Sequence, residues 1–388
     1  MSEPFDLYSR EIDSNPFPYY ETLRENYPCY WSEKGQLWIL TRYEDVFSAA
    51  QDWETFSSQK GNLIDEISGR SGNTLGTTDP PRHDRLRALV NKAFAKKHLD
   101  HLVAPVQEIA ARQIAGFKKS NHFDFVSGFS SVITVEILFK MLGLPARNPA
   151  EIRNLVVKSI STDKSMCGRN ETHDLAFKKL TDFLSEEISI RRKNPSDDLI
   201  THLATAEIDG DRLSDLEVVL TTSMFVVAGV ESLSSFMSMF ALNMADFATA
   251  RRRITEDLGL MPQAIEESLR FNTSAQRFGR SMARDYECHG QKMKAGQKVA
   301  LAFGAANRDP RKFENPDQYD IDRKPQGHLG FGAGKHYCIG TSLARLVTET
   351  AMSAFLSEIP EFNLNERTFN WVSSSNFRSP LTLPMKIG

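Results

Sequence analysis

The chain has 388 residues, with 47 basic against 50 acidic side chains, a net charge of −3 and 40% hydrophobic residues. That length can bury a large core, and the charge balance lacks the basic excess of a nucleic-acid binder. The opening "MSEPFDLYSREIDSNPFPYY" has neither the basic start nor the apolar run of a signal peptide or membrane anchor, so a cytoplasmic, membrane-free monomer is expected.

Apolar residues recur at intervals of three and four in "NPFPYYETLREN", which predicts a first helix. "PCYWSEKGQLWILTRY" then reads as strand-like. Helical spacing returns in "RLRALVNKAFAKKHLDHLVAPVQEIAARQIAGFKK", in "HDLAFKKLTDFLSEEISIRRK" and in the long "SDLEVVLTTSMFVVAGVESLSSFMSMFALNMADF". "YECHGQKMKAGQKVALAF" is a second strand-like region with "KAGQ" as its turn, and "TSLARLVTETAMSAFLSEI" is a last helix. The expected fold class is mainly α with a small β-rich region. No linker, low-complexity run or internal repeat appears, which makes 1–388 a single domain. The four cysteines, at 29, 167, 288 and 338, are too far apart for a CxxC zinc site, and three of them read as plain thiols.

Cys338 differs from the other three. In "HLGFGAGKHYCIGTSLAR", Gly332, Gly334 and Gly340 permit positive φ and close approach of the backbone to a flat ligand. The helix that begins after Cys338 points its positive end at the sulfur, which favours a thiolate. Phe331, Gly332, Gly334, His336, Cys338 and Gly340 match the haem-binding loop of the cytochrome P450 family, F-G-x-G-x-H-x-C-x-G, at every defined position. Other family signatures follow in order along nearly the whole chain. Glu267 and Arg270 in "EESLR" resemble the E-x-x-R pair, and Arg323 matches the arginine that completes a buried Glu-Arg-Arg cluster. "TTDPPRHDRLRALVNKAF" resembles the entry to the family's C helix, with Asp79 as an expected cap.

The resemblance implies the cytochrome P450 fold and a b-type haem whose iron is ligated by Cys338. His83, Arg87, Arg280 and His336 fall on positions that hold the haem carboxylates, and Glu267, Arg270 and Arg323 fix the segment that carries the cysteine loop. Ala228 and Gly229 match the distal helix, and Glu231 and Ser232 stand where the family places an acid-alcohol pair for proton delivery. Serine replaces the usual threonine and Leu233 the second threonine, which predicts looser positioning of the hydroxyl.

By the same resemblance the protein is a haem-thiolate monooxygenase that takes O2 and electrons from a ferredoxin and its NAD(P)H-dependent reductase, since no flavin or ferredoxin-like segment is visible. Lys92, Lys96, Lys97, Lys335 and Arg345 are expected to form a basic docking patch. The regions that line the family's pocket are polar here: Asn62, Arg70 and Asn73, then Asn272, Thr273, Ser274 and Gln276, then Ser375 and Asn376. Buried polar groups need partners. The expectation is therefore a small oxygenated substrate, hydroxylated or O-demethylated, such as a methoxylated sugar or phenol, with Val227 and Phe278 beside its apolar part. A peroxygenase driven by hydrogen peroxide and a non-catalytic haem sensor are the alternatives.

Overall fold

The computed structural model describes residues 4–91, 94, 99–205, 207–208 and 210–388. Its principal helices are α1 (Phe17–Asn26), α2 (Tyr43–Gln51), α3 (Arg82–Asn91), α4 (Val103–Ser120), α5 (Ser131–Leu142), α6 (Pro149–Ile160), α7 (Glu171–Lys193), α8 (Asp215–Asp246), α9 (Met261–Phe271) and α10 (Thr341–Glu358). The main sheet holds β1 (Cys29–Ser32), β2 (Leu37–Leu40), β3 (Phe278–Met282) and β6 (Lys298–Leu301), with a hairpin of β4 (Tyr286–Cys288) and β5 (Gln291–Met293) beside it. The fold is mainly α with a small β-rich part.

α8 is the axis of the core. A capping box starts it: the Ser214 hydroxyl accepts from the Glu217 amide, and the Glu217 carboxylate accepts from the Ser214 amide. It packs against α5, α6, α7, α9 and α10, and its apolar residues are buried on nearly every side. Among the described residues it is the one helix long and apolar enough to cross a membrane, and most of its apolar stretch is buried inside the protein.

The sheet carries the second core. β1 pairs antiparallel with β2, β6 runs parallel to β2 and antiparallel to β3, and Phe56–Ser57 extends the far edge. β3 delivers Phe278 and Arg280 from this sheet to the site described below. The single periodic run read across residues 85–119 is two helices, α3 and α4. α5 and α6 pack between α8 and its neighbours.

Candidate active site

The loop before α10 folds around its own backbone: the Cys338 amide donates to the Phe331 carbonyl at 3.0 Å, and the Gly332 amide to the Leu329 carbonyl at 3.0 Å. Gly332 and Gly334 both take positive φ, +70° and +67°. At Gly334 a side chain is excluded twice, since a Cβ there would lie 2.1 Å from the Ala50 carbonyl oxygen of α2. The loop thus presents Cys338, at the mouth of α10, to a cavity with about 1520 Å³ of atom-free space, its opening included. Burial pushes the thiol pKa up, against the opposing pull of the Gly340 amide, Arg87 and Arg345.

α8 supplies Met224, Ala228, Gly229, Ser232 and Leu233 to the same cavity. Gly229 sits mid-helix, where glycine costs about 1 kcal/mol relative to alanine. Its use has a local reason, because a Cβ would come 2.8 Å from Leu138 Cδ2 of α5 and narrow the cavity. Phe94, Phe225, Phe236 and Phe278 make the lining predominantly aromatic and aliphatic.

A collar of nitrogen donors closes one side of this apolar space. His83, Arg87, Arg280 and His336 all line it. The His83 and His336 rings meet at 4.6 Å, and the Nε2 atoms of both are buried without a hydrogen-bond partner. Arg280 is 6% exposed, with no carboxylate at salt-bridge distance among the described residues, and burial lowers its pKa to about 10. Burial likewise depresses both histidines, His336 to about 4. Asp84 lies 3.0 Å from His83 Nδ1 and Asp79 3.8 Å from His336, but a buried arginine without a carboxylate partner and two buried, unbonded imidazole nitrogens are costly unless a ligand brings negative charge. A flat apolar ring with acidic substituents fits, with the ring against the phenylalanines and glycines and the carboxylates among these donors.

The comparisons agree. The family model described as Cytochrome P450 matches residues 7–368. The chain belongs to the cytochrome P450 family. It is 31% identical over 359 residues to Cytochrome P450 109 of Bacillus spizizenii, covering 91% of this chain and 86% of that one. It is 30% identical over 371 residues to the cyclomarin C epoxidase CymV of Salinispora arenicola, covering 93% of each. Among solved structures, CYP109E1 from Bacillus megaterium in complex with testosterone superimposes with a TM-score of 0.90 at 26% identity, over 98% of this chain and all of that one.

As a P450 the protein binds haem b and is a monooxygenase. Cys338, Phe331, Gly332, Ala228, Gly229, His83, Arg87, Arg280 and His336 all line the one cavity, so they are the residues that would hold the haem there. Gly340, which also lines the cavity, stands at the N-cap of α10.

Behind the loop, Glu267 accepts from Arg270 Nε at 2.8 Å and Nη2 at 2.7 Å, from Arg323 Nε at 3.2 Å and from the Asp320 amide at 3.0 Å. Arg270 also donates to the carbonyls of Asn307 and Pro316, and Arg323 to those of Glu314 and Asn315. The three side chains stitch α9 to the segment running into the cysteine loop. The adjacent Glu266 was not singled out in the sequence. Despite burial, Arg345 and His328 hold its pKa at about 2 by hydrogen bonding, and Arg345 in turn lies 4.7 Å over the Phe331 ring.

Several expectations are corrected. Asn272, Gln276 and Asn376 do not line the cavity. Asn272 bonds to Asn243 and Arg378, Gln276 to the Thr273 carbonyl, and Asn376 to the Ile64 amide and the Arg277 carbonyl. Arg70 pairs with Glu66, Ser375 with Thr162, and Asn73 is bound within its own loop. Protein groups satisfy most of this polarity, with Gln276 Oε1 left buried and unbonded away from the cavity. Val227 points into the core, whereas Asn62, Thr273, Ser274 and Phe278 do reach the cavity.

Asp79 is not a side-chain cap: it accepts from Ser57 Oγ and the Ser58 amide and lies 3.8 Å from His336. Glu231 and Ser232 separate. Ser232 lines the cavity, but Glu231 is fully buried outside it, accepting from Ser235 Oγ at 2.9 Å with Arg153 Nε at 3.9 Å. Of the expected basic patch, Lys335 is paired with Asp84 and Arg345 with Glu266, while Lys92, Lys96 and Lys97 lie outside the described residues.

Proposed function

We propose that this P450 inserts one atom of O2 into a predominantly apolar small molecule. The observation that carries this reading is the placement of Cys338 and the Ser232 hydroxyl on one aromatic-lined cavity. When bound, thiolate-ligated haem supplies oxygen activation, with electron density pushed from sulfur. The chain supplies the rest. Phe278, Met224 and Leu75 hold the apolar body of the substrate and exclude water, while Asn62, Thr273 and Ser274 offer a small number of polar anchors. Ser232 donates and accepts at the cavity wall, and Glu231, one residue away, is the nearest proton reservoir on α8. Attack on an aliphatic carbon yields an alcohol. The same attack on an O-methyl carbon releases the methyl as an aldehyde, so hydroxylation and O-demethylation differ only in which carbon is presented. The apolar lining favours an apolar or amphiphilic substrate over a methoxylated sugar.

Electrons come from a ferredoxin and its NAD(P)H-dependent reductase. An open depression lined by Phe47, Trp53, Lys335 and Tyr337 abuts the cysteine loop and gives such a partner access. A second reading, peroxide-driven oxygenation, is favoured by one fact: the Glu231 carboxylate is held away from the cavity. Turnover under 18O2 with ferredoxin, reductase and NADPH is compared with turnover on hydrogen peroxide. Label from 18O2 in the product supports the first reading; product with peroxide and none with the electron-transfer chain supports the second. Substrate-induced haem spectral shifts with terpenes, steroids and fatty acids, and none with methoxylated sugars, are expected. The reverse pattern would overturn the apolar assignment.

A further inference from the structure

Away from the haem cavity, four groups with metal-ligating atoms converge from three elements. Cys29 opens β1 at the edge of the main sheet, Asp45 lies in the first turn of α2, and Cys288 and His289 form the tip of the β4–β5 hairpin. The ligand atoms of Asp45, Cys288 and His289 all lie within 4.8 Å of one another, and Asp45 Oδ2 is 2.7 Å from His289 Nε2. The Cys29 thiol neighbours that of Cys288 in the same apolar cluster, but lies beyond 4.8 Å of at least one of the three ligand atoms. Both thiols are buried, 6% and 8% exposed, while a third of the His289 side chain faces solvent and provides an entry.

The hairpin turn holds this arrangement at a cost. His289 has φ +49° and is followed by Gly290 at φ +75°, the two left-handed residues of a tight turn in which Asn-Gly is the preferred pair. A histidine there turns its ring onto Asp45.

We propose that Cys29, Asp45, Cys288 and His289 bind a zinc ion that ties the β4–β5 hairpin to β1 and α2. Two sulfurs, one imidazole nitrogen and one carboxylate oxygen make a tetrahedral donor set suited to Zn²⁺. Zinc bonds of about 2.0–2.3 Å place neighbouring ligand atoms roughly 3.3–3.8 Å apart, so the Asp45, Cys288 and His289 atoms, now within 4.8 Å of one another, need to close by no more than about 1.5 Å, with Cys29 drawn in beside Cys288. Binding releases the two thiol protons to solvent and replaces the Asp45–His289 hydrogen bond with two metal bonds. Two thiolates and one carboxylate against Zn²⁺ leave one negative charge, and Arg42, close enough to act on Cys288, offsets it. The spacing that makes Cys29 and Cys288 look unrelated in sequence is closed by the sheet, which puts β1 and the hairpin in one apolar cluster. The clip bears on the haem loop through α2, whose Ala50 carbonyl abuts Gly334.

The test uses the full-length haem protein incubated with zinc chloride and then dialysed, with zinc and iron counted by mass spectrometry. One zinc per chain is expected, with sulfur ligands at about 2.3 Å in Zn-edge X-ray absorption, where iron does not interfere. Cys288→Ser should weaken zinc binding by more than the ~10–100-fold that loss of an outer-shell partner costs. Should that variant not fold, His289→Asn decides, because asparagine suits the left-handed turn and removes only the imidazole; it should also lose zinc while keeping its haem. Fewer than about one zinc per ten wild-type chains, zinc retention unchanged in His289→Asn, or a Cys29–Cys288 disulfide in place of the metal would each overturn the site.

Discussion

Replacing Gly334 by alanine separates the two demands that the haem loop makes on its backbone. At φ +67° any Cβ is strained, by about 1–2 kcal/mol. The Gly334 Cβ would also stand 2.1 Å from the Ala50 carbonyl oxygen and 2.9 Å from its carbon. A backbone carbonyl in α2 cannot rotate aside, so loop and helix must part, at an overpacking cost of about 1–3 kcal/mol. Gly334→Ala should therefore destabilise by about 2–5 kcal/mol. Gly296, in the turn before β6, has φ +87° with no atom within 4 Å of its Cβ position, so Gly296→Ala should show the strain alone. Denaturant unfolding followed by circular dichroism gives both losses, and the ratio of haem to protein absorbance shows whether the loop still holds its cofactor. The expected result is a larger loss and depleted haem in Gly334→Ala only. Equal losses, or a Gly334→Ala protein with full haem, would refute the reasoning.

Removing the Glu267 carboxylate in Glu267→Ala leaves the fully buried Arg270 and the nearby Arg323 without their anion, and should cost roughly 3–5 kcal/mol and abolish haem incorporation, read from the absorbance ratio. Burial, with Arg280 and His83 nearby and Asp79 opposing, holds His336 at about 4 against roughly 6.5 in the unfolded chain. The unfolded state then takes the proton first, so this contribution to stability is full above pH 6.5 and lost as pH falls towards 4. Haem-free protein should lose up to roughly 3 kcal/mol across that window, and His336→Gln should flatten the slope in a pH series of denaturation curves. Ser232→Ala should lower product formed per NADPH by at least ~10-fold, with hydrogen peroxide released instead, while Ser232→Thr should match or exceed wild type. Arg153→Leu should destabilise by several kcal/mol, since it strips the buried Glu231 of its nearest cation; a neutral effect in urea melts would show that the 3.9 Å pair carries no weight.

What could be read from the sequence was what is local in the chain. The cysteine loop and α10 lie within one short segment, so glycine spacing, thiol and helix start appear together. α8 and the β1–β2 hairpin announce themselves by periodicity. The polar stretches "FNTSAQRFG" and "VSSSNFRS" misled because key partners are remote: Asn272 meets Arg378 across 106 residues, and Asn376 meets Ile64 across 312. Glu231 and Ser232 are adjacent in sequence, but successive helical residues differ by about 100° in direction, so only one of two neighbours can face a given cavity. The same blindness to distance hid Asp79 beside His336, Glu266 between two basic partners, and the meeting of Cys29 with Cys288.

The central claim, that Cys338 is the thiolate that makes this chain a monooxygenase, is tested most directly by the carbon monoxide difference spectrum of the reduced protein. Wild type should give the thiolate-type band of a P450, and Cys338→His, if it retains haem, should lose that band and oxygenate no substrate. An unchanged band in Cys338→His, or a wild-type spectrum of the imidazole-ligated kind, would contradict it.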